Sequence, residues 1–346
     1  MDRIRVLVCE DSIVFRQLLV SNLNKDPEIE VVGVAGDPFE ARDLIIKLKP
    51  DVMTLDIELP KMSGLEFLRK LMPQYPLPVV MISSLSDKVF DALHAGAVDF
   101  MAKPITTDKA ALNRFLTVEL ITKVKMAATA QLSNVKQKTV NTKTVATEDL
   151  PRGHSERIIA IGASTGGTEA IAAVLSGFGP DIPGTVIVQH MPPGFTEMYA
   201  NRLNDNYSVR VREAKNGDVV EQGLVLLAPG GDAHMRLVKV GKQYQVEIKK
   251  GERVNGHCPS VEVLFDSVAK AAGKDAIGII LTGMGGDGAK GLLAMRNAGA
   301  QTIGQDESTC VVYGMPKVAY DMGAVQYQEK LTNIAAKTYS LLKSNR

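Results

Sequence analysis

The sequence of 346 residues predicts an α/β protein of two domains, both built on sheets whose strands run mainly parallel. Three observations lead there: the length exceeds what one hydrophobic core commonly supports, β-rich runs alternate with longer amphipathic stretches in both halves, and the halves are separated by a stretch of different composition. In the first half the β-rich runs are residues 4–8, 31–35, 52–55, 79–82 and 98–101, spaced for βα repeats on a five-stranded parallel sheet. From 123 to 156 the chain turns to Lys, Thr, Gln, Ala, Asn and Ser without an aromatic, which predicts a helix end running into a linker. Beyond it, residues 157–163, 185–189, 224–228 and 276–281 read as strands of a doubly wound sheet, most followed by Gly-rich turns and helical patterns. Residues 209–212 read as a further β segment added to that sheet, and 235–240 with 243–248 as an antiparallel hairpin turning at Gly241. The expected division is 1–122, 123–156 and 157–346, with no internal repeat.

Composition excludes several classes. The chain is 45% hydrophobic and 23% charged, with no Trp, so it lacks the aromatic platforms of single-strand binders. Lys plus Arg number 40 against 39 Asp plus Glu, and this net charge of +1 gives no footprint for nucleic acid or anionic lipid. Acidic residues follow the first few apolar ones too soon for a signal-peptide core, and no apolar run approaches a membrane span, so no membrane insertion and a cytoplasmic location are expected. Cys9, Cys258 and Cys310 form no CxxC pair, which suits reduced thiols with structural or incidental roles. A monomer is expected.

In a doubly wound sheet, functional residues gather just beyond the carboxyl ends of the strands. In the first half Glu10 and Asp11 follow the first strand, Asp56 ends the third, Ser83 follows the fourth and Lys103 follows the fifth. Taken singly, such acids cap helices and such lysines solvate surfaces. Gathered together, Glu10, Asp11 and Asp56 would repel one another without a hard cation, and carboxylate plus water ligation suits Mg²⁺. With that charge neutralised, Asp56 could accept a phosphoryl group, Lys103 could pair with it and the Ser83 hydroxyl could donate to it.

In the second half Gly162-Ala-Ser164-Thr-Gly166-Gly167 lies between an apolar strand and a helical pattern. The glycines permit a tight turn and the helix start offers N–H groups to an oxyanion, which is nucleophile-elbow chemistry for Ser164. A dinucleotide-binding turn is the competitor, but the spacing is not GxGxxG and the next strand ends in Gln189-His190 rather than in a ribose-binding acid. His190 is the candidate general base, and Asp287, in Thr-Gly-Met-Gly-Gly-Asp-Gly after another apolar strand, the candidate to orient it. The order Ser, His, Asp differs from the Ser, Asp, His of α/β-hydrolases, so a different α/β topology is implied. His234 and His257 are alternative bases, each better suited to a structural or substrate-contacting place.

On these residues two resemblances rest. Residues 6–104, through Cys9-Glu10-Asp11-Ser12, Leu55-Asp56, residues 78–84 and Lys103-Pro104, resemble the receiver domain of two-component response regulators. The resemblance implies a flavodoxin-like sheet, phosphorylation at Asp56 with Mg²⁺ as cofactor, and Phe100 as the aromatic switch residue three positions before the lysine. Glu58 departs from it, standing where many receivers have a neutral residue near the metal. Residues 157–346, through 162–168, 189–196, 255–260, 282–288 and 310–316, resemble the catalytic domain of the chemotaxis protein-glutamate methylesterases. That resemblance implies hydrolysis of γ-glutamyl methyl esters on the cytoplasmic helices of chemoreceptors, deamidation of receptor glutamines, no cofactor for the hydrolysis, and backbone N–H groups near Thr165 and Met284 as the oxyanion site. It also implies a chemotaxis histidine kinase as phosphodonor, and a receiver that covers the catalytic cleft until phosphorylated. Three rival readings remain. A DNA-binding output needs a basic element, yet residues 157–346 hold 20 Lys plus Arg against 18 Asp plus Glu, a net of +2. A nucleotide-dependent oxidoreductase needs the absent phosphate fingerprint. A pseudoenzyme that only titrates phosphate is excluded by activity alone.

Overall fold

The computed structural model describes residues 3–84, 87–104, 109–132 and 156–344. The chain divides into two compact units, Met1–Lys136 and Gln137–Arg346.

The first unit holds β1 (Ile4–Cys9), β2 (Ile29–Ala35), β3 (Val52–Asp56), β4 (Val79–Ser83) and β5 (Asp99–Ala102), ordered β2-β1-β3-β4-β5 with every pair parallel. All residues of β3 and β4 are buried, because helices cover both faces of a parallel sheet; this is why these runs are continuously apolar instead of alternating. The helices that follow β1, β2 and β3 are capped by local side chains: the Ser12 hydroxyl accepts from the Phe15 N–H, Asp37 from Phe39 and Glu40, and Ser63 from Glu66. Gly64 opens the helix Gly64–Gln74, and a Cβ there would stand 1.9 Å from the Asp56 carbonyl oxygen, so only glycine lets this helix close against β3. The helix Leu120–Ala128 buries Leu120, Val124, Met126 and Ala127, so the first folded unit runs past residue 122. Residues 133–155 of the expected linker lie outside the described residues.

The second unit holds β6 (Ile158–Ala163), β7 (Gly184–Gln189), β8 (Arg210–Glu213), β9 (Val219–Val220), β10 (Leu224–Leu227), β11 (Ala233–Val240), β12 (Gln243–Lys250), β13 (Ala276–Ile280), β14 (Gln301–Gln305) and β15 (Tyr327–Glu329). Seven of them form one sheet, β15-β14-β13-β6-β7-β10-β8, in which every pair is parallel. The hairpin β11–β12 pairs in register from Ala233↔Lys250 to Val240↔Gln243 and, with β9, makes a separate antiparallel sheet. Its apolar face, with Met235, Leu237 and Val246, joins the core that also contains Val261, Leu264, Phe265 and Val268 of the helix Val261–Ala271. β8 is a parallel edge strand of the main sheet. β14 and β15 carry no strand signal in the sequence, since Gln301-Thr-Ile-Gly-Gln305 mixes amides and glycine with one isoleucine; a buried slot beside β13 makes it a strand. No helix among the described residues is long and apolar enough to cross a membrane.

Candidate active site and phosphoacceptor site

β13, β6 and β7 are neighbours at the centre of the seven-stranded sheet, so Asp287, Ser164 and His190 emerge beyond the carboxyl ends of three adjacent strands, where the order of connection reverses. The turn at Ser164 is drawn tight by several contacts. Its N–H donates to the Thr282 carbonyl (3.0 Å), its carbonyl accepts from Gly167 (2.7 Å), and Gly166 adopts φ +74° before the helix Gly167–Leu175 begins. A Cβ on Gly283 would lie 2.7 Å from Ser164 Cβ, so the loop after β13 passes directly against the serine. Val312 pins that loop through the Gly283 N–H (3.0 Å) and the Thr282 hydroxyl. Thr165 is buried, and the Met284 side chain is exposed at the mouth of the same loop.

His190 Nε2 lies 2.9 Å from Asp287 Oδ2, with both side chains almost wholly buried. Asp287 also accepts from Asn255 Nδ2 (2.8 Å), the Ser260 hydroxyl (2.7 Å), and the N–H groups of Val261 (2.7 Å) and Glu262 (3.3 Å). It therefore caps the helix Val261–Ala271 with its negative charge at the positive end. Burial pushes its pKa up, but His190, Asn255 and Ser260 outweigh burial and hold the carboxyl well below its ordinary range. An ionised Asp287 against Nε2 fixes the Nε2–H tautomer and leaves Nδ1 as the basic nitrogen. Nδ1 is buried and has no hydrogen-bond partner among the described residues, Ser164 included; such bonds are often open in free enzymes and tighten with substrate.

In the first unit the oxygens of Glu10, Asp11 and Asp56 all lie within 4.8 Å of one another. Lys103 Nζ sits 2.5 Å from Asp56 Oδ2 and 2.9 Å from Glu10 Oε2. Desolvation pushes Glu10 up to about 6, chiefly against the pull of Lys103, and raises Asp56. One ammonium thus faces three acidic groups, two of them buried, a donor set that fits a hard divalent cation. Glu58 is exposed and only its N–H reaches Asp56 (3.1 Å), so its carboxylate lies outside this cluster. Ser83 is buried at the end of β4 and its carbonyl accepts from the Lys103 N–H, while Phe100 is buried against Phe90, ring centroids 6.4 Å apart.

A CheB methylesterase profile matches residues 159–338, and a response-regulator receiver profile matches residues 6–117. The chain is 58% identical over 344 residues to the protein-glutamate methylesterase/protein-glutamine glutaminase 2 of Syntrophomonas wolfei, covering 98% of each chain. The chain belongs to the CheB methylesterase family. The corresponding protein of Syntrophotalea carbinolica is 52% identical, with 99% of each chain covered. The CheB methylesterase catalytic domain of Thermotoga maritima superposes with a TM-score of 0.52 at 35% identity, spanning 54% of this chain and 98% of that one. As a CheB-family methylesterase with a receiver domain, the chain is an enzyme of the two-component and chemotaxis class, and its receiver implies a histidine kinase partner.

Sequence reasoning left several supporting residues of this CheB-family site without a role. Gln189 Nε2 donates to the carbonyls of Ser164 (2.9 Å) and His190 (3.2 Å), tying the Ser164 turn to the strand end that carries His190. Its position at the strand end, beside Gly167, whose Cβ would stand 2.1 Å from Gln189 Oε1, was the available signal. Glu262, buried and raised in pKa mainly by desolvation, accepts from the Gly288 N–H (3.0 Å) and holds the loop that carries Asp287. His234 engages both ring nitrogens, accepting from Ser260 N at Nδ1 (3.2 Å) and meeting the Glu252 carbonyl at Nε2 (2.7 Å), so it ties the helix start to the loop after β12. His257 stacks on His190 with ring centroids 3.6 Å apart.

Proposed function

We propose that the chain is a phosphorylation-activated, cytoplasmic protein-glutamate methylesterase that hydrolyses γ-glutamyl methyl esters of chemoreceptors and deamidates receptor glutamines. The observation that carries this reading is the buried His190–Asp287 pair delivered, with Ser164, by three adjacent strand ends. Relatives spanning the whole chain bear that double name.

In this reading Ser164 Oγ attacks the ester carbonyl while His190 Nδ1 takes its proton, and Asp287 holds the Nε2–H and the charge that forms on the ring. The oxyanion falls to backbone N–H groups at Thr165 and Met284, on the two loops that Gly283 allows to touch. The imidazolium returns its proton to the departing methoxide, releasing methanol; water, deprotonated by the same nitrogen, then attacks the acyl-enzyme to give glutamate. A glutamine substrate forms the same acyl-enzyme and releases ammonia. The reading places the receiver in residues 1–122, extended by the rest of the helix Leu120–Ala128, and the catalytic domain in 157–346.

In the receiver, Glu10, Asp11 and Asp56 would hold Mg²⁺, which would neutralise charge around the phosphoryl group. Asp56 accepts that group from the kinase, Lys103 then pairs with the phosphate, Ser83 donates to it, and Phe100 reports the change. A ten-fold activation requires about 1.4 kcal/mol of difference between two states. The test is methanol release from methylated chemoreceptor by wild type, Ser164→Ala and Asp56→Asn, each with and without a small-molecule phosphodonor and Mg²⁺. Ser164→Ala should release none, and Asp56→Asn should keep basal release without activation. Wild-type release by Ser164→Ala would overturn the nucleophile.

A further inference from the structure

The general base of this site is overlaid by a second imidazole that the proposed mechanism does not use. His190 and His257 lie face to face, with ring centroids 3.6 Å apart and planes inclined by 9°. His257 arrives there on a tight turn. Val254 and His257 exchange backbone hydrogen bonds (3.0 and 2.9 Å), and the two residues between them, Asn255 (φ 52°) and Gly256 (φ 83°), both adopt positive φ. This is the Asn-Gly arrangement that a two-residue primed turn demands. Arg253 closes the turn by donating to the Gly256 carbonyl (3.0 Å), and His234 holds its approach at the Glu252 carbonyl. The same four residues therefore place Asn255 on Asp287 and His257 on His190, so one rigid turn touches both the base and its carboxylate partner.

Two neutral aromatic rings gain little from lying face to face, because their negative faces oppose each other. A cation over the face of a neutral ring is attracted to it, more so where water is excluded. As the base, His190 becomes cationic while it holds the serine proton, and its side chain is only 9% exposed. The stack is therefore worth more once the proton has moved than before, which is the condition for lowering a barrier without tightening substrate binding. It also fixes the plane in which Nδ1 lies, leaving that nitrogen aimed by Asp287 at one end and by the neighbouring ring across its face.

We infer that His257 is a positioning residue of the esterase reaction, whose ring face holds the plane of His190 and supports its charged form. This inference rests on the reading of His190 as the base. Its substitution acts on kcat and leaves KM nearly unchanged, and the requirement is for a flat π-face, not for a titratable nitrogen.

The experiment measures kcat and KM for methanol release from methylated chemoreceptor by the full chain, comparing wild type with His257→Ala, His257→Leu, His257→Phe and His190→Ala, with a thermal melt of each. His190→Ala should be inactive. His257→Ala and His257→Leu should lose about ten-fold in kcat with KM within about two-fold, and His257→Phe should recover to within about three-fold of wild type. If His257→Ala unfolds, the comparison of the Leu and Phe variants decides alone. Equal rates for Leu and Phe, an undiminished kcat in the Ala variant, or a loss confined to KM would overturn the inference while leaving His190 as base. Full activity in His190→Ala would instead remove the base reading and the inference with it.

Discussion

Asp287→Asn separates an aspartate that orients the base from one that merely caps a helix. The carboxylate accepts from five donors, two at Oδ2 (His190 and Val261) and three at Oδ1 (Asn255, Ser260 and Glu262). An asparagine turned with its NH₂ toward His190 would also face the Val261 N–H, which cannot adapt. Turned the other way, it faces the Asn255 amide, which can flip, the Ser260 hydroxyl, which can rotate to accept, and the long Glu262 contact. The second orientation is the cheaper, so the imidazole keeps its tautomer and what disappears is the negative charge. At 2.9 Å from Nε2, that charge attracts an imidazolium by about 6 kcal/mol at an effective dielectric of about 20. The proton is only partly transferred in the transition state, so about 4 kcal/mol is expressed there, an expected loss of about 10³-fold in kcat. Losing the charged cap should cost about 2 kcal/mol of stability, lowering Tm by roughly 4–8 °C. The assay is methanol release under saturating substrate beside a melting curve. A kcat within ten-fold of wild type, with the Tm lowered as expected, would show that Asp287 serves the helix and not the base.

The other expectations concern the shape and charge of the two sites. Gly283→Ala, whose Cβ would stand 2.7 Å from Ser164 Cβ, should displace the nucleophile and lower kcat by about 10²-fold, read in the same assay against a folded control by circular dichroism. Gln189→Ala, which frees the carbonyls of Ser164 and His190, should lower kcat by about ten-fold with KM unchanged, and unchanged kinetics would mean that the turn holds its shape without the amide. Glu10 has its pKa raised in the folded state from 4.5 to about 6, so its contribution to stability is present below the ordinary value and is lost, by about 2 kcal/mol, as pH rises through about 6. A divalent cation relieves that penalty, so Mg²⁺ should raise the Tm of the receiver transition at pH 7.5 and have little effect at pH 5; an equal rise at both would place the cation elsewhere.

The sequence carried most of the strand positions because a parallel sheet covered on both faces demands unbroken apolar runs, and residues such as 79–82 and 276–280 can do little else. It carried the Ser164 turn because glycines at 162, 166 and 167 mark a tight strand-to-helix turn, and their spacing is not that of a dinucleotide-binding loop. β14 escaped notice because its Gln and Gly residues are strand-compatible only where Gln305 can spend its amide on the Thr282 N–H and the Thr309 carbonyl. The roles of Asn255, Ser260 and Glu262 escaped for a related reason: each lies some 25 to 32 residues from Asp287 along the chain, and no local pattern announces the contact.

By itself the sequence determined the two α/β halves, the acidic strand ends of the first and the Ser, His and Asp loops of the second, since these are properties of residue type at a strand end. Tertiary structure alone decided which nitrogen of His190 meets Asp287, that the same carboxylate caps a helix, that Glu58 is not part of the acidic cluster, and that the His257 ring covers that of His190. These depend on strand order and loop packing. Side chains far apart in sequence acquire a shared charge, tautomer or ring plane only when a fold sets them a few ångströms apart.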